Sequence, residues 1–164
     1  MRIVQITDPH VTATGTLRAG VIDTGQRFKT ALEHCRTLDP APDLVLLTCD
    51  LADDARADEY AAIAAIVQAL PTIMQGQPAC QGADALADLL ARHGGLIGSL
   101  SGHLHRAMAA TYCGAASWIG PSTAYRLPLA QSVDDLAREA AERVCYSVHD
   151  WSPDTGLRSA EIVV

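Results

Sequence analysis

The chain has 164 residues, enough to bury a real core as one domain. Nearly half are apolar but only seven are aromatic, so Ala and Leu carry the core, a composition that suits an α/β protein. A net charge of −7 and a pI near 5.2 argue against nucleic acid or an anionic membrane as the main partner, because either wants a basic face.

Arg2 to Thr7 alternates and is rich in Ile and Val, which predicts a strand stopping at Asp8-Pro9. A Gly/Thr-rich loop follows from Val11 to Thr24. Gly25 to Leu38 reads as a helix with Phe28, Ala31, Leu32 and Cys35 on one face, and Asp39-Pro40-Ala41-Pro42 breaks it. Leu44 to Thr48 is a continuous apolar run, the mark of a strand buried on both faces. Asp58 to Leu70 is a second, Ala-rich helix ended by Pro71. The stretch PTIMQGQPACQG, Pro71 to Gly82, has little periodicity and holds two Pro and two Gly. Ala83 to His93 predicts a third helix, closed by Gly94-Gly95. Leu96 to Leu100 is a strand leading into SGHLHR. Ala109 to Ile119 is weakly strand-like, with a turn at Gly120-Pro121, and Asp134 to Glu142 is a short helical or turn segment. Arg143 to Trp151 and Leu157 to Val164 form a closing hairpin across Ser152-Pro153-Asp154-Thr155-Gly156. The order is that of an α/β protein, without internal repeat or low-complexity linker, so residues 1–164 are read as a single domain.

Five widely spaced cysteines, an odd number and without a CxxC, suit a reducing compartment. MRIVQI is too short for a signal segment and no apolar run approaches a membrane span, so the expected location is the cytoplasm.

Three strand ends carry groups that bind metals: Asp8-Pro9-His10, Asp50, and His103-Leu104-His105. In open α/β sheets ligands gather beyond the C-terminal ends of strands. Residues two apart on an extended segment project to the same side, so Asp8 with His10, and His103 with His105, can each offer two ligands to one point. Taken singly, a DxH is most often a turn aspartate with a surface histidine, and Asp50 reads equally as a cap for the segment after it. Their conjunction in one α/β chain points to a metal, and carboxylate plus imidazole suits Zn, Mn or Fe better than Ca or Mg. His34 reads as a surface residue of its helix, His93 as a helix C-terminus and His149 as part of the hairpin; none is a ligand candidate.

In the stretches RIVQITDPH, GVIDTGQRFKTAL, PDLVLLTCDLADDARADEY, GADALADLLARH, SLSGHLHR and GPSTAY, the chain resembles the calcineurin-like metallophosphoesterase superfamily. Within it, the likeness is to the bacterial class III cyclic-nucleotide phosphodiesterases and their glycerophosphodiesterase relatives. The stretches run along most of the chain in family order. The resemblance implies a metallophosphoesterase-like two-sheet β-sandwich flanked by helices (αββα). It implies that Asp8, His10 and His105 hold one metal, that His103 holds a second, and that Asp50 bridges the two, so that Asp50 and His103 stand at the reacting centre. It implies hydrolysis of a small phosphodiester, of cyclic-nucleotide or glycerophosphodiester type, by a metal-bound hydroxide.

The chain departs from the family pattern in three places. It has no GNHD or GNHE box, whose Asn binds the second metal and whose His assists the leaving group, and it lacks the further metal-binding His that precedes the later loop. The simplest account is an internal deletion with its seam near Pro71 to Thr72. Cys49 stands where the family has Gly, and reads as a tolerated small residue rather than a metal-seeking thiolate. The expectation is therefore one well-held Fe, Mn or Zn ion, with a second weakly bound at Asp50 and His103. The alternative to an active phosphodiesterase is a non-catalytic metal-binding remnant. Asp53, Asp54, Gln75 and Cys49 are residues that could replace the lost ligands, and the spacing favours none of them. Sheet edges bared by the deletion predict a homodimer.

Overall fold

The computed structural model describes residues 1–67, 73–75, 92, 97–112, 114–126 and 143–164. In chain order the elements are β1 (Arg2–Thr7), α1 (Thr24–Cys35), β2 (Leu44–Thr48), α2 (Ala57–Val67), β3 (Ile73–Gln75), β4 (Gly98–Ser101), β5 (Met108–Tyr112), β6 (Ala115–Ile119), β7 (Cys145–Ser152) and β8 (Gly156–Val163). They form two mixed sheets. The larger has the order β3-β2-β1-β7-β8 and the smaller β4-β6-β5. β1, β2 and β3 run parallel, while β7 and β8 are antiparallel to their neighbours.

The alternation in β1 assigns its two faces. Val4 and Ile6 are fully buried with Phe28, Ala31, Leu32 and Cys35 of α1 and Ala62 and Ile63 of α2, which makes one apolar core between helices and sheet. Asp23 caps α1, its carboxylate accepting from the Gln26 N–H at 2.8 Å. Glu59, in the first turn of α2, reaches back instead and accepts from the N–H groups of Asp54 and Arg56 ahead of the helix, both at 3.0 Å.

The opposite face of the large sheet meets the small sheet through a polar layer. Gln5 Nε2 donates to Thr48 Oγ1 at 3.1 Å and to the Ser101 carbonyl at 3.0 Å, which leaves its Oε1 to accept from His149 Nε2 at 3.2 Å. His149 Nδ1 then accepts from the Ser159 hydroxyl at 2.7 Å, and the Trp118 indole donates to Ser147 Oγ at 2.8 Å. His149 is fully buried, and burial pushes its pKa down to about 4, so it sits there neutral. The sheets approach closely here because Gly120 has no side chain: a Cβ would lie 2.9 Å from Thr7 Cγ2.

The structure differs from the sequence reading at several elements. α1 begins at Thr24, where the Asp23 cap sets its start, and ends at Cys35 rather than Leu38. β2 buries Val45 and Leu47, while Leu44, Leu46 and Thr48 are only half-buried, so it is not equally covered on both faces. Ile73–Gln75 is a short strand that adds to β2, inside the stretch that offered no periodicity. The weakly strand-like segment is two paired strands, β5 and β6. His34 is half-buried rather than on the surface, its Nδ1 lying 2.8 Å from the Tyr146 hydroxyl. The helices expected over 83–93 and 134–142, the end of α2 and the expected seam at 71–72 lie outside the described residues, apart from Arg92. Among the described residues no helix is long and apolar enough to cross a membrane.

Candidate metal centre

β1 and β2 stay hydrogen-bonded beyond the last regular strand residue. The N–H of Asp8 reaches the Thr48 carbonyl at 3.1 Å, and that of His10 reaches the Asp50 carbonyl at 2.9 Å. This aligns two of the three predicted ligand segments. The third, after β4, is tied in by the His103 N–H, which donates to both carboxylate oxygens of Asp8 at 2.9 and 2.8 Å. Gly102 makes that approach sterically open. A Cβ there would overlap Thr7 Oγ1 and Asp8 Oδ2.

The backbone at these turns is unusual. Seven non-glycine residues among those described have positive φ, and five of them are Asp8, His10, Cys49, His103 and His105. Such conformations cost on the order of 1–3 kcal/mol each and persist where the surroundings impose them, most often at functional sites. Here they turn side chains from three segments inward. At Cys49 the φ of 55° is a conformation that glycine holds at least cost. Burial raises the Cys49 thiol, and Asp8 raises it further, so it is a thiol and not a thiolate.

The five predicted residues come together. Asp8, His10 and His105 are all buried, and one ligand atom from each lies within 4.8 Å of the others. Asp8, Asp50 and His103 form a second such group. Asp8 thus belongs to both. Asp50 Oδ2 also stands between the two, 3.7 Å from His10 Nε2 and 3.8 Å from His103 Nδ1.

Electrostatics and tautomers prepare the buried group to face a cation. Burial raises the Asp8 carboxyl above the usual carboxylate range, opposed by hydrogen bonds from the Thr7 hydroxyl at 2.6 Å and the His103 N–H. Burial pushes His10 down to about 3 and His105 to about 4, with Arg18 lowering both further, so both rings are neutral and each keeps a lone pair. The two Nε2 atoms are 3.2 Å apart. Two imidazole ligands at ~2.0–2.1 Å from a tetrahedral ion stand ~3.3 Å apart, so the observed spacing fits one ion. His105 directs Nδ1 at the Tyr125 carbonyl, 3.1 Å away, which leaves Nε2 facing inward. Asp8 Oδ1 lies 3.7 Å from His105 Nε2, close enough to complete the donor set with a small movement.

Two contributors were not foreseen from the sequence. Ser122 donates to the Asp8 carbonyl at 2.6 Å and accepts from the N–H groups of Ala124 and Tyr125, which fixes the GPSTAY loop against the site. Arg18 stacks over the Tyr125 ring at 4.6 Å and pairs with Asp53 beside His10. A serine ahead of a turn is a weak signal in sequence, and an arginine in a long loop is weaker still.

No family model matches the chain. A probable glycerophosphodiester phosphodiesterase, GpdQ of Arcobacter nitrofigilis, is 33% identical over 60 residues, which are 37% of this chain and 22% of that protein. The match thus spans about a fifth of the curated relative. Among solved structures, an archaeal phosphodiesterase superposes with a TM-score of 0.54 at 10% identity, covering 100% of both chains. A single mutant of Vps29 from Entamoeba histolytica superposes with a TM-score of 0.51 at 12% identity, covering 100% of this chain and 99% of that one. The two mixed sheets with flanking helices are the metallophosphoesterase-like fold of these neighbours, and the chain resembles the calcineurin-like metallophosphoesterase superfamily in fold and in sequence alike.

Proposed function

We propose that this chain is a metal-dependent phosphoesterase-type protein whose substrate is a small phosphodiester, and that it holds one ion well. The observation that carries the reading is the buried triad of Asp8, His10 and His105, with two neutral Nε2 atoms 3.2 Å apart beside a buried carboxylate. A divalent ion bound there supplies Lewis acidity to a phosphoryl oxygen and makes bound water more acidic. The chain's own residues do the rest. Asp8, His10 and His105 would hold the ion, and Asp50 and the exposed His103 imidazole would stand on its open side. The relatives' names support a phosphodiester, and the lack of a GNHD box argues for slow turnover.

A second reading, a metal-binding remnant without turnover, is favoured by the exposure of the Asp50 and His103 side. On either reading the internal deletion near residues 71–72, the cytoplasmic location and a homodimer covering bared sheet edges remain part of the proposal. Elemental mass spectrometry on purified wild type and His105→Ala tests it. About one metal per chain, lost in the variant, is the expected result. About two would mean that other groups complete the second site, and a bis(p-nitrophenyl) phosphate assay would then show ordinary turnover. A wild type free of metal after growth in Zn, Mn and Fe would sink both readings.

A further inference from the structure

His10 has more neighbours than a neutral ring can serve at once. Its Nε2 is 3.2 Å from Nε2 of His105. Its Nδ1 is 3.1 Å from Nη1 of Arg18 and 3.2 Å from Oδ1 of Asp53. Arg18 and Asp53 are also paired with each other. A neutral imidazole carries one N–H and one lone pair, so two arrangements are open.

In the first, Arg18 donates to Nδ1 and the ring proton sits on Nε2. That proton points at Nε2 of His105, which offers a lone pair because its own proton goes to the Tyr125 carbonyl. The network is closed, and it puts a hydrogen where a cation would sit. In the second, the proton sits on Nδ1 and is donated to Asp53, while Arg18 serves Asp53 alone. Both Nε2 lone pairs then face the same space. Only the second arrangement gives two imidazole ligands to one ion.

We propose that Asp53 is the positioning residue that selects the second arrangement, and that its pairing with Arg18 keeps the guanidinium from taking His10. The inference rests on the metal-binding reading above. Backbone geometry sets up the choice. The Asp53 N–H donates to the Val11 carbonyl at 3.2 Å, which places the carboxylate beside His10. Arg18 opens a tight turn closed by its own N–H to the Ile22 carbonyl at 2.8 Å, and the Tyr125 ring holds the guanidinium over the site. Remove the carboxylate, and the acceptor left for Arg18 is His10 Nδ1. Asp53 is thus not a substitute ligand: it faces the ring nitrogen turned away from the Nε2 pair. It acts through His10.

The test is Mn²⁺ and Zn²⁺ affinity by titration calorimetry on wild type, Asp53→Ala, Arg18→Met, the double variant and His105→Ala. Ring ¹⁵N shifts of His10 are recorded with and without metal. Asp53→Ala should weaken binding ~10–100-fold, the range for lost outer partners of a ligating histidine. Its metal-free His10 should carry the proton on Nε2. Arg18→Met should bind within ~3-fold of wild type, and the double variant should regain most of the loss, because the competing donor is gone. Should Asp53→Ala fold poorly, Asp53→Asn takes its place: it should bind several-fold more weakly than wild type, because a neutral amide pairs less well with Arg18, and should regain affinity when combined with Arg18→Met. Wild-type binding that His105→Ala abolishes, with Asp53→Ala binding as wild type, overturns this inference and leaves the metal reading standing. A double variant as weak as Asp53→Ala also overturns it. Wild type without affinity for either ion sinks the metal reading itself.

Discussion

Asp8, His10 and His105 are 0, 8 and 2% exposed, and each has a further polar atom held by a neighbour: Thr7 and the His103 N–H for Asp8, Arg18 and Asp53 for His10, and the Tyr125 carbonyl for His105. A few ångströms away the His103 side chain is 70% exposed and that of Asp50 34%. These two halves of one site teach different things about affinity. The buried half has already lost its rotamer freedom during folding, so a ligand entering it pays little more for ordering. The open half must order its side chains at the moment of binding and compete with water. On the proposed metal-binding reading, the same residue types would therefore make a strong and a weak site within one cluster.

The comparison is broken most severely at Gly102. Gly102→Ala should cost about 3 kcal/mol, because the new methyl must displace Thr7 and Asp8 in a packed place. Urea unfolding of the metal-free variant measures it, and a curve superimposable on wild type would show that the Asp8 seat is not tight. Next comes the contrast between halves. His105→Ala should weaken metal binding ~100-fold or more and His103→Ala only severalfold, and equal losses would erase the distinction.

The buried layer beneath the site can be probed by pH. His149 has its folded pKa lowered to about 4, below the ordinary 6.5. As pH falls through 6.5 the unfolded chain takes up a proton that the folded chain refuses. Stability is therefore full above pH 6.5 and declines toward pH 4, with about 2.5 kcal/mol lost from this residue by pH 4.5. His149→Gln, compared with wild type across pH 7.5 to 4.5, should show the shallower decline, and parallel curves would count against a buried neutral His149. The smallest effect is expected at the base of the open half. Cys49→Gly should raise stability by about 1 kcal/mol by relieving the left-handed conformation of a residue with a side chain. A lower melting temperature would mean that the Cys49 side chain packs more favourably than its backbone suffers.

Legibility in the sequence followed the range of the interactions. β1, β2 and the β7–β8 hairpin were readable because alternation and apolar runs are local. The buried stripe of α1 was readable because a 3.6-residue period is local too. The five candidate residues were singled out because strand ends are where such groups collect, and the structure brings their side chains together. β3 escaped because three residues among Pro and Gly carry no period, and only pairing with β2 makes them a strand. The polar layer between the sheets escaped as well: Gln5 and His149 are 144 positions apart, and nothing near either one announces the other. His34 was misplaced for the same reason, its partner Tyr146 lying 112 positions away. The positive φ values at Asp8, His10, His103 and His105 were invisible, because nothing in the side chains asks for them.

The separation of the metal-facing groups along the chain has a kinetic consequence. His10 and His105 are 95 residues apart, as are Asp8 and His103. Bringing them together means closing a long loop, and the turns that aim them are held only once both sheets are in place. A cation offered to the unfolded chain finds at most the two close pairs, Asp8 with His10 and His103 with His105, far apart along the chain, and gains little by waiting there. It cannot seed the fold and can only enter a finished one. Added metal should therefore leave the refolding rate where it is and slow unfolding instead, so that its whole effect appears in how long the native state survives.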